Sequence, residues 1–246
     1  MIQRSGIPAG IQIAADMLVA PRFAFECLRS RPTWGWAFAL LCLLVLGGKL
    51  LEGPAIAHAS LGSTQHLLGT NEFLASLPSD QKERILESAK HPNGITTALN
   101  IAGPVIAVLV QIGFNAIVLF AATRTSRSSL AFSRVWAASV NIAVPTVGLG
   151  ILTAGIVCIL RGGSSFDSNT ALAQSVPSLA TIVASTSSFA NGMLAKIDAF
   201  SLWGLWLNAN ALRWMCGLTG PKVWLVPAGI TVASAIVAGV QLSQAP

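Results

Sequence analysis

Three histidines, His58, His66 and His91, share one stretch of chain with Glu52 and Glu72. Imidazole and carboxylate are the ligand types that hold zinc, so a metal site is the first chemistry to test. Spacing argues against it. A metal-binding helix needs two His one turn apart, as in HExxH, so that both fall on one face. None of these residues has that spacing, and they read as solvated loop histidines with no metal or cofactor. The cysteines Cys27, Cys42, Cys158 and Cys216 form no CxxC pair. Scattered Cys in or beside apolar runs behave as small buried hydrophobes, and no disulfide is expected. Gly-rich phosphate loops and Ser/His/Asp or Cys/His groupings are not evident, so no catalytic residue is nominated and no enzymatic activity is expected.

A second set of polar residues is more informative, because it lies inside apolar sequence. Asn100, Gln111 and Asn115 fall in one run, Asn141 in another, Asn208 and Asn210 in a third. Lipid cannot satisfy an amide, so such side chains turn towards other helices. Two roles follow: bonds between helices, or the lining of a solute path through Asn115, Asn141 and Asn208. A path more often carries an ionisable residue deep in a span. Here Lys49, Asp198 and Arg213 read as lying near span ends, within reach of the headgroups.

The elements that must position these residues are five long apolar runs: Trp34–Leu51, Ala98–Thr123, Val135–Leu160, Ala199–Cys216 and Val223–Leu242. Each approaches the ~20 residues that a helix needs to cross the hydrocarbon core. Composition agrees. The 246-residue chain is 53% hydrophobic and 10% charged, with mean hydropathy +0.68; a soluble domain carries about 25% charged residues. The expectation is an all-α integral membrane bundle of five transmembrane helices in contact with the lipid bilayer.

The net charge of +6 does not indicate nucleic acid. The cations sit in short clusters at the ends of runs, not along one face or stripe. Such clusters set topology, with Lys and Arg favouring the cytoplasmic side of short loops. Arg124, Arg127 and Arg134 mark one short loop, and Arg213 and Lys222 flank another. Both fall inside if the N-terminus is cytoplasmic. Asp16 and Glu26 are then the only inner acids. Trp34, Trp36, Trp136, Trp214 and Trp224 all fall near inner span ends, where an indole prefers the headgroup level. Trp203 falls near the outer end of the fourth run. The reading is N-terminus in, C-terminus out. A sixth span over Val176–Ala195 is the alternative, and it would move Arg213 and Lys222 outside.

Residues 1–33 form the cytoplasmic N-terminal segment and 34–246 the transmembrane domain. Met17–Arg31 reads as an inner interfacial helix, with the helix proper starting at Pro21 and stopping before Pro32. Phe25 and Leu28 share its apolar face. No cleavable signal peptide is evident, since charges interrupt the first 30 residues. Two outer loops are expected, at about 52–97 and 161–198. The first holds a short amphipathic helix over Leu77–Pro92, begun by Pro78, Ser79 and Asp80. The second opens on flexible Gly162, Gly163, Ser164 and Ser165. Pro104 and Pro145 are expected to kink their spans. In the last span Gly229 with Ala233, and Ala235 with Gly239, are small pairs that let helices approach, and a homo-oligomer is one outcome.

Two motifs add a resemblance. Leu18-Val19-Ala20-Pro21-Arg22-Phe23-Ala24-Phe25, followed by Arg31-Pro32-Thr33-Trp34-Gly35-Trp36, is similar to a P-x-x-x-F … P-x-W lead-in to a first span. Ile197-Asp198-Ala199-Phe200-Ser201-Leu202-Trp203, then Leu212-Arg213 and Gly217-Leu218, is similar to a D-x-F-S-x-W … G-hydrophobic stretch. Together they resemble the bacterial branch of the Yip1 domain family. The chain contains no Tyr, so the Tyr-containing motifs of eukaryotic members are absent, and small-GTPase binding is not carried over. The resemblance implies a non-enzymatic scaffold or accessory subunit in the bacterial inner membrane, with a membrane-protein partner such as ABC-type efflux subunits. The rival from another class is a small solute channel or carrier; a membrane-bound enzyme ranks third. The residues singled out for structural or partner contacts are Asp198, Trp203, Asn208, Arg213, Pro21 and Trp34. Asp198 precedes the fourth run and is placed to cap its N-terminus.

Overall fold

The computed structural model describes residues 9–90, 94–125, 130–168, 171–172, 174–183, 185 and 187–244, with backbone only at 94–101, 125 and 244. Arg4, His91, Arg127 and the side chain of Asn100 therefore lie outside the described residues. Among the described residues the structure is helical, and extended pairing is confined to one bridge between Ser178 and Asp198. Four helical stretches are long and apolar enough to cross a bilayer: Gly35–Thr70, Ala102–Arg124, Phe132–Arg161 and Lys222–Ser243. The remaining expected run forms α11 (Ala199–Cys216) with the expected bounds. It is not one of the four; Asn208, Asn210 and Arg213 lie inside it and lower its hydropathy.

The chain divides into two compact units. The first comprises Met1–Val45, Ile106–Gly150 and Ala199–Ala233; the second comprises Leu46–Val105, Ile151–Asp198 and Ser234–Pro246.

In the first unit the N-terminal segment is two helices, α1 (Ala9–Val19) and α2 (Pro21–Ser30), where one was expected. The break is at Ala20, whose φ of −143° and ψ of 61° lie outside the helical region. Pro21 causes it, since proline drives the preceding residue out of helical geometry and has no N–H to continue the ladder. Pro21 does start α2, and Arg31 ends it in extended geometry just before Pro32. The segment is not a separate layer. Met17, Phe25 and Leu28 are completely buried, packed with Leu119, Val135, Leu207, Leu212 and Met215 in one core. α2 lies against α7 (Phe132–Ala143) and α11. Its apolar face is thus used inside the chain. α11 ends on Gly217 at φ 69°, where the Leu218 N–H reaches back to the Leu212 carbonyl at 3.2 Å. That is the reverse-turn cap for which glycine is favoured.

The third expected span is one continuous stretch: α7, a wide π-turn over Val144–Gly148, then α8 (Leu149–Arg161). Pro145 is the second residue of the π-turn. Its missing N–H and bulky ring are accommodated by the wider turn, which is how helices absorb an inserted irregularity.

The helix of the first expected run extends beyond Leu51 into the second unit. α3 runs unbroken from Gly35 to Thr70, 36 residues, about 54 Å at 1.5 Å per residue. Its expected end, Leu51, stands just before the charged Glu52. Charge is not a stop signal, however, and Lys49 one turn earlier neutralises it. The helix ends where Asn71 takes over as cap, its Oδ1 accepting from the N–H groups of Phe73 and Leu74, to start the single turn α4 (Glu72–Ala75). α5 (Ser79–Lys90) lies within the expected amphipathic segment. α6 (Gly94–Thr125) follows, with Pro104 inside it.

Small residues let α3 meet the segment after Ile151. A Cβ on Gly155 would stand 2.5 Å from the Gly48 carbonyl oxygen, and one on Gly48 would stand 2.6 Å from that of Ile151. Only hydrogen fits at either point, so the two backbones touch there. Ala55 and Ala59 continue the buried stripe of α3. The segment after α8 is broken into short pieces, among them α9 (Leu179–Ile182) and α10 (Ser188–Ala195). Val183 is extended and Ser187 caps α10. Eight helical residues rise only about 12 Å, so no described helix in Val176–Ala195 has the length of a sixth span. α12 (Lys222–Gln244) closes the chain. Its Gly239 packs on Phe189 of α10, whereas Gly229 faces open space. The Ala235–Gly239 pair is therefore spent inside the chain.

Candidate functional site

Two polar groupings stand out, one in each unit. In the first unit, Asn115 on α6 donates from Nδ2 to Asn208 Oδ1 on α11 at 3.0 Å, and to Ser139 Oγ on α7 at 3.3 Å. Asn208 Nδ2 returns to the Gly204 carbonyl of its own helix at 2.9 Å. Three helices are joined through one amide. Asn141 is completely buried but bonds elsewhere: Nδ2 donates to the Thr33 carbonyl at 3.1 Å and to that of Ala137 at 2.8 Å. It fastens the lead-in of α3 to α7. Asn115 and Asn208 thus bond to each other, and Asn141 bonds to the backbone at Thr33 and Ala137. Asn115 Oδ1 and Asn141 Oδ1 are buried without a hydrogen-bond partner.

The aromatic and basic residues of this unit form two further groups. Trp34, half exposed, meets Phe38 and Trp136 edge to face, with ring centroids 6.2 and 6.4 Å apart. On Trp214 two guanidinium groups converge, Arg22 at 4.5 Å and Arg213 at 5.3 Å from the ring. The indole N–H donates to Asn210 Oδ1 at 3.0 Å. Cation–π contact of this kind ties α2 to the end of α11. Trp203 stacks on Trp206 with centroids 5.0 Å apart. Of the six residues singled out from sequence, Asn208, Arg213, Pro21, Trp34 and Trp203 belong to this unit, in these separate groups, and Asp198 belongs to the other.

The second unit holds a cavity of about 440 Å³ that brings together Lys49, Glu52, Lys196 and Asp198. Lys49 Nζ lies 2.6 Å from Glu52 Oε2, with Glu52's side chain only 7% exposed. Small side chains, Ala154, Gly192 and Ala238, make part of the wall. Asp198 also pairs through its backbone with Ser178, next to a bond from the Leu179 N–H to the Ile197 carbonyl at 3.0 Å. The sequence singled out Asp198 as a cap of the following helix and did not join it to Lys49 and Glu52, which read as a span end and a loop. The signal was present: a Lys and a Glu three apart inside an otherwise apolar run meet on one helix face.

His58 is 3.2 Å from the Phe166 carbonyl oxygen and 3.9 Å from Asp167 Oδ1, joining α3 to the segment after α8. Among the described residues no three His, Cys, Asp or Glu side chains gather as metal ligands would. Comparison of the chain with known protein families, with curated proteins and with solved structures gives no match.

Proposed function

We propose that this chain is a multi-pass protein of the bacterial inner membrane, of Yip1 type, that serves as a non-enzymatic scaffold or accessory subunit of a membrane complex. An ABC-type efflux system is the candidate complex. The observation that carries the membrane part is the outward face of α6. Ile106, Val110, Phe114 and Ile117 are each half or more exposed, while Asn115 turns inward. A helix in water shows the opposite arrangement. An apolar stripe of this length needs lipid or a partner to cover it.

The proposed topology has five spans, with the N-terminus cytoplasmic and the C-terminus outside. α11 is the fifth. Its 18 residues reach about 27 Å, close to the ~30 Å core. Its amides are satisfied by neighbouring groups within the first unit. α1 and α2 lie at the inner face, with Arg22, Arg29 and Arg213 at the headgroup level.

The scaffold reading draws support from how the intramembrane amides are used. They tie α6, α7, α11 and the α3 lead-in into one packed unit, and that fixes a surface for a partner. The solute-path reading has less support, because the Asn141 amide N–H groups are taken up by the Thr33 and Ala137 carbonyls and those of Asn115 by Asn208 and Ser139. Affinity purification from native membranes in mild detergent tests the proposal. A membrane partner at fixed stoichiometry is expected. Recovery of the protein alone, together with solute flux in liposomes that falls on Asn208→Leu, would reverse the ranking.

A further inference from the structure

We propose that the cavity of the second unit binds a zwitterion, an ammonium and an anionic group a few atoms apart, of the kind carried by a phosphatidylethanolamine headgroup. About 440 Å³ is within the range of small-molecule sites. The charges decide the ligand class. Lys49 and Lys196 supply two positive groups, Glu52 and Asp198 two negative ones, and the lining is formally neutral. A bare anion is drawn by one pair and repelled by the other, and so is a bare cation. A zwitterion aligned with the lining is attracted at both ends.

The site is also built rather than incidental. Glu52 is a carboxylate with 7% of its side chain exposed, held by Lys49 at 2.6 Å. Lys49 keeps about a third of its side chain exposed and can reach an incoming anion without leaving Glu52. Gly192 presses against the Ala238 carbonyl oxygen, where a Cβ would stand 2.6 Å away, so that wall is fixed. Leu172, Val176 and Leu242 give the lining an apolar part suited to the first carbons of an acyl chain. A headgroup as the occupant rests on the membrane placement proposed above.

The same chemistry could be presented by a phospholipid or by a free solute, and one experiment separates them. The full-length protein, purified in mild detergent, is offered phosphatidylethanolamine or phosphatidylglycerol and its adducts are counted by native mass spectrometry. In parallel its melting temperature is followed with O-phosphoethanolamine, inorganic phosphate or ethanolamine. A phospholipid occupant gives about tenfold more phosphatidylethanolamine than phosphatidylglycerol adduct and no shift with O-phosphoethanolamine. A free-solute occupant gives a melting shift with O-phosphoethanolamine that neither phosphate nor ethanolamine reproduces. In both cases Lys196→Glu, an exposed position that leaves the packing intact, abolishes the effect, while Lys90→Glu on α5 leaves it unchanged. Equal retention of the two lipids without an O-phosphoethanolamine shift overturns the proposal. So does a preference that survives Lys196→Glu, or an equal shift with phosphate alone.

Discussion

Replacing Asn208 by Leu keeps the side-chain size and removes one bond between helices. In the folded chain Asn208 Oδ1 accepts from Asn115 Nδ2 at 3.0 Å, and the residue is buried at 8% exposure. Asn115 does not lose everything, because Ser139 Oγ remains 3.3 Å away. In water-soluble proteins a stranded buried donor costs about 1–3 kcal/mol. Between membrane helices the measured average is about 0.6 kcal/mol, with a maximum near 1.7. With one acceptor kept, Asn208→Leu is expected to cost about 1 kcal/mol. Asn115→Leu should cost slightly more, since it also gives up the Ser139 bond. If the shared bond is what both changes remove, the double variant costs little more than Asn115→Leu alone. The coupling energy is then about 1 kcal/mol, well beyond the ~0.3–0.5 kcal/mol scatter of independent sites. Reversible unfolding in mixed micelles, read by tryptophan fluorescence, measures all four corners of the cycle. Additive costs would refute the reasoning, because the two amides would then not be holding each other.

Other variants probe the remaining contacts. Gly155→Ala should destabilise by about 1–3 kcal/mol by forcing α8 from α3, whereas Gly47→Ala, which meets nothing within 4 Å, should be neutral or gain up to ~1 kcal/mol of helix propensity; thermal melts in detergent compare the two. Phe25→Ala empties a fully buried position of the first core and should cost about 3–5 kcal/mol. Phe23→Ala, 63% exposed, should change stability by less than ~0.5 kcal/mol, and proteolysis of the N-terminal helices reads out the pair. Lys49→Met leaves the Glu52 carboxylate buried without its partner and should cost about 3–5 kcal/mol. Adding Glu52→Gln to Lys49→Met should restore most of that loss in the same melts.

Much of this architecture was legible, and the reasons are local. Pro21 and Pro32 bracket α2 because proline acts on its own residue and the one before it. Pro145 announced a distortion, though not that it would be a π-turn, since the form depends on what packs around it. The apolar runs fixed four long helices because hydropathy over ~20 residues is a summed signal. Where the helices stop was less visible. α3 passes through Glu52, Gly53 and Pro54 because Lys49 neutralises the acid and the residues beyond, Ala55 to Leu68, still favour helix. That misplaced end hid the charged cavity: Lys49 and Glu52 looked like a span end and a loop, and only the long helix turns them together beside Lys196 and Asp198. Whereas Gln111, expected with them, is exposed on α6, Asn115, Asn141 and Asn208 were recognised as inward-facing. Their division into an Asn115–Asn208 pair and a separate Asn141 was not, because which faces meet depends on helix rotation. The same holds for Gly48 and Gly155, whose contact joins positions far apart in sequence.

The claim on which the rest depends is that α11 crosses the membrane as a fifth span. Its amides and Arg213 leave it less apolar than the four longer stretches, so hydropathy does not decide the matter, but parity does. A reporter that fluoresces only in the cytoplasm and a phosphatase active only outside, fused in turn to each terminus of the full chain, read that parity directly. Fluorescence from the N-terminal fusion and phosphatase activity from the C-terminal fusion are the predicted result. Both termini on one side would mean an even number of spans and contradict the account.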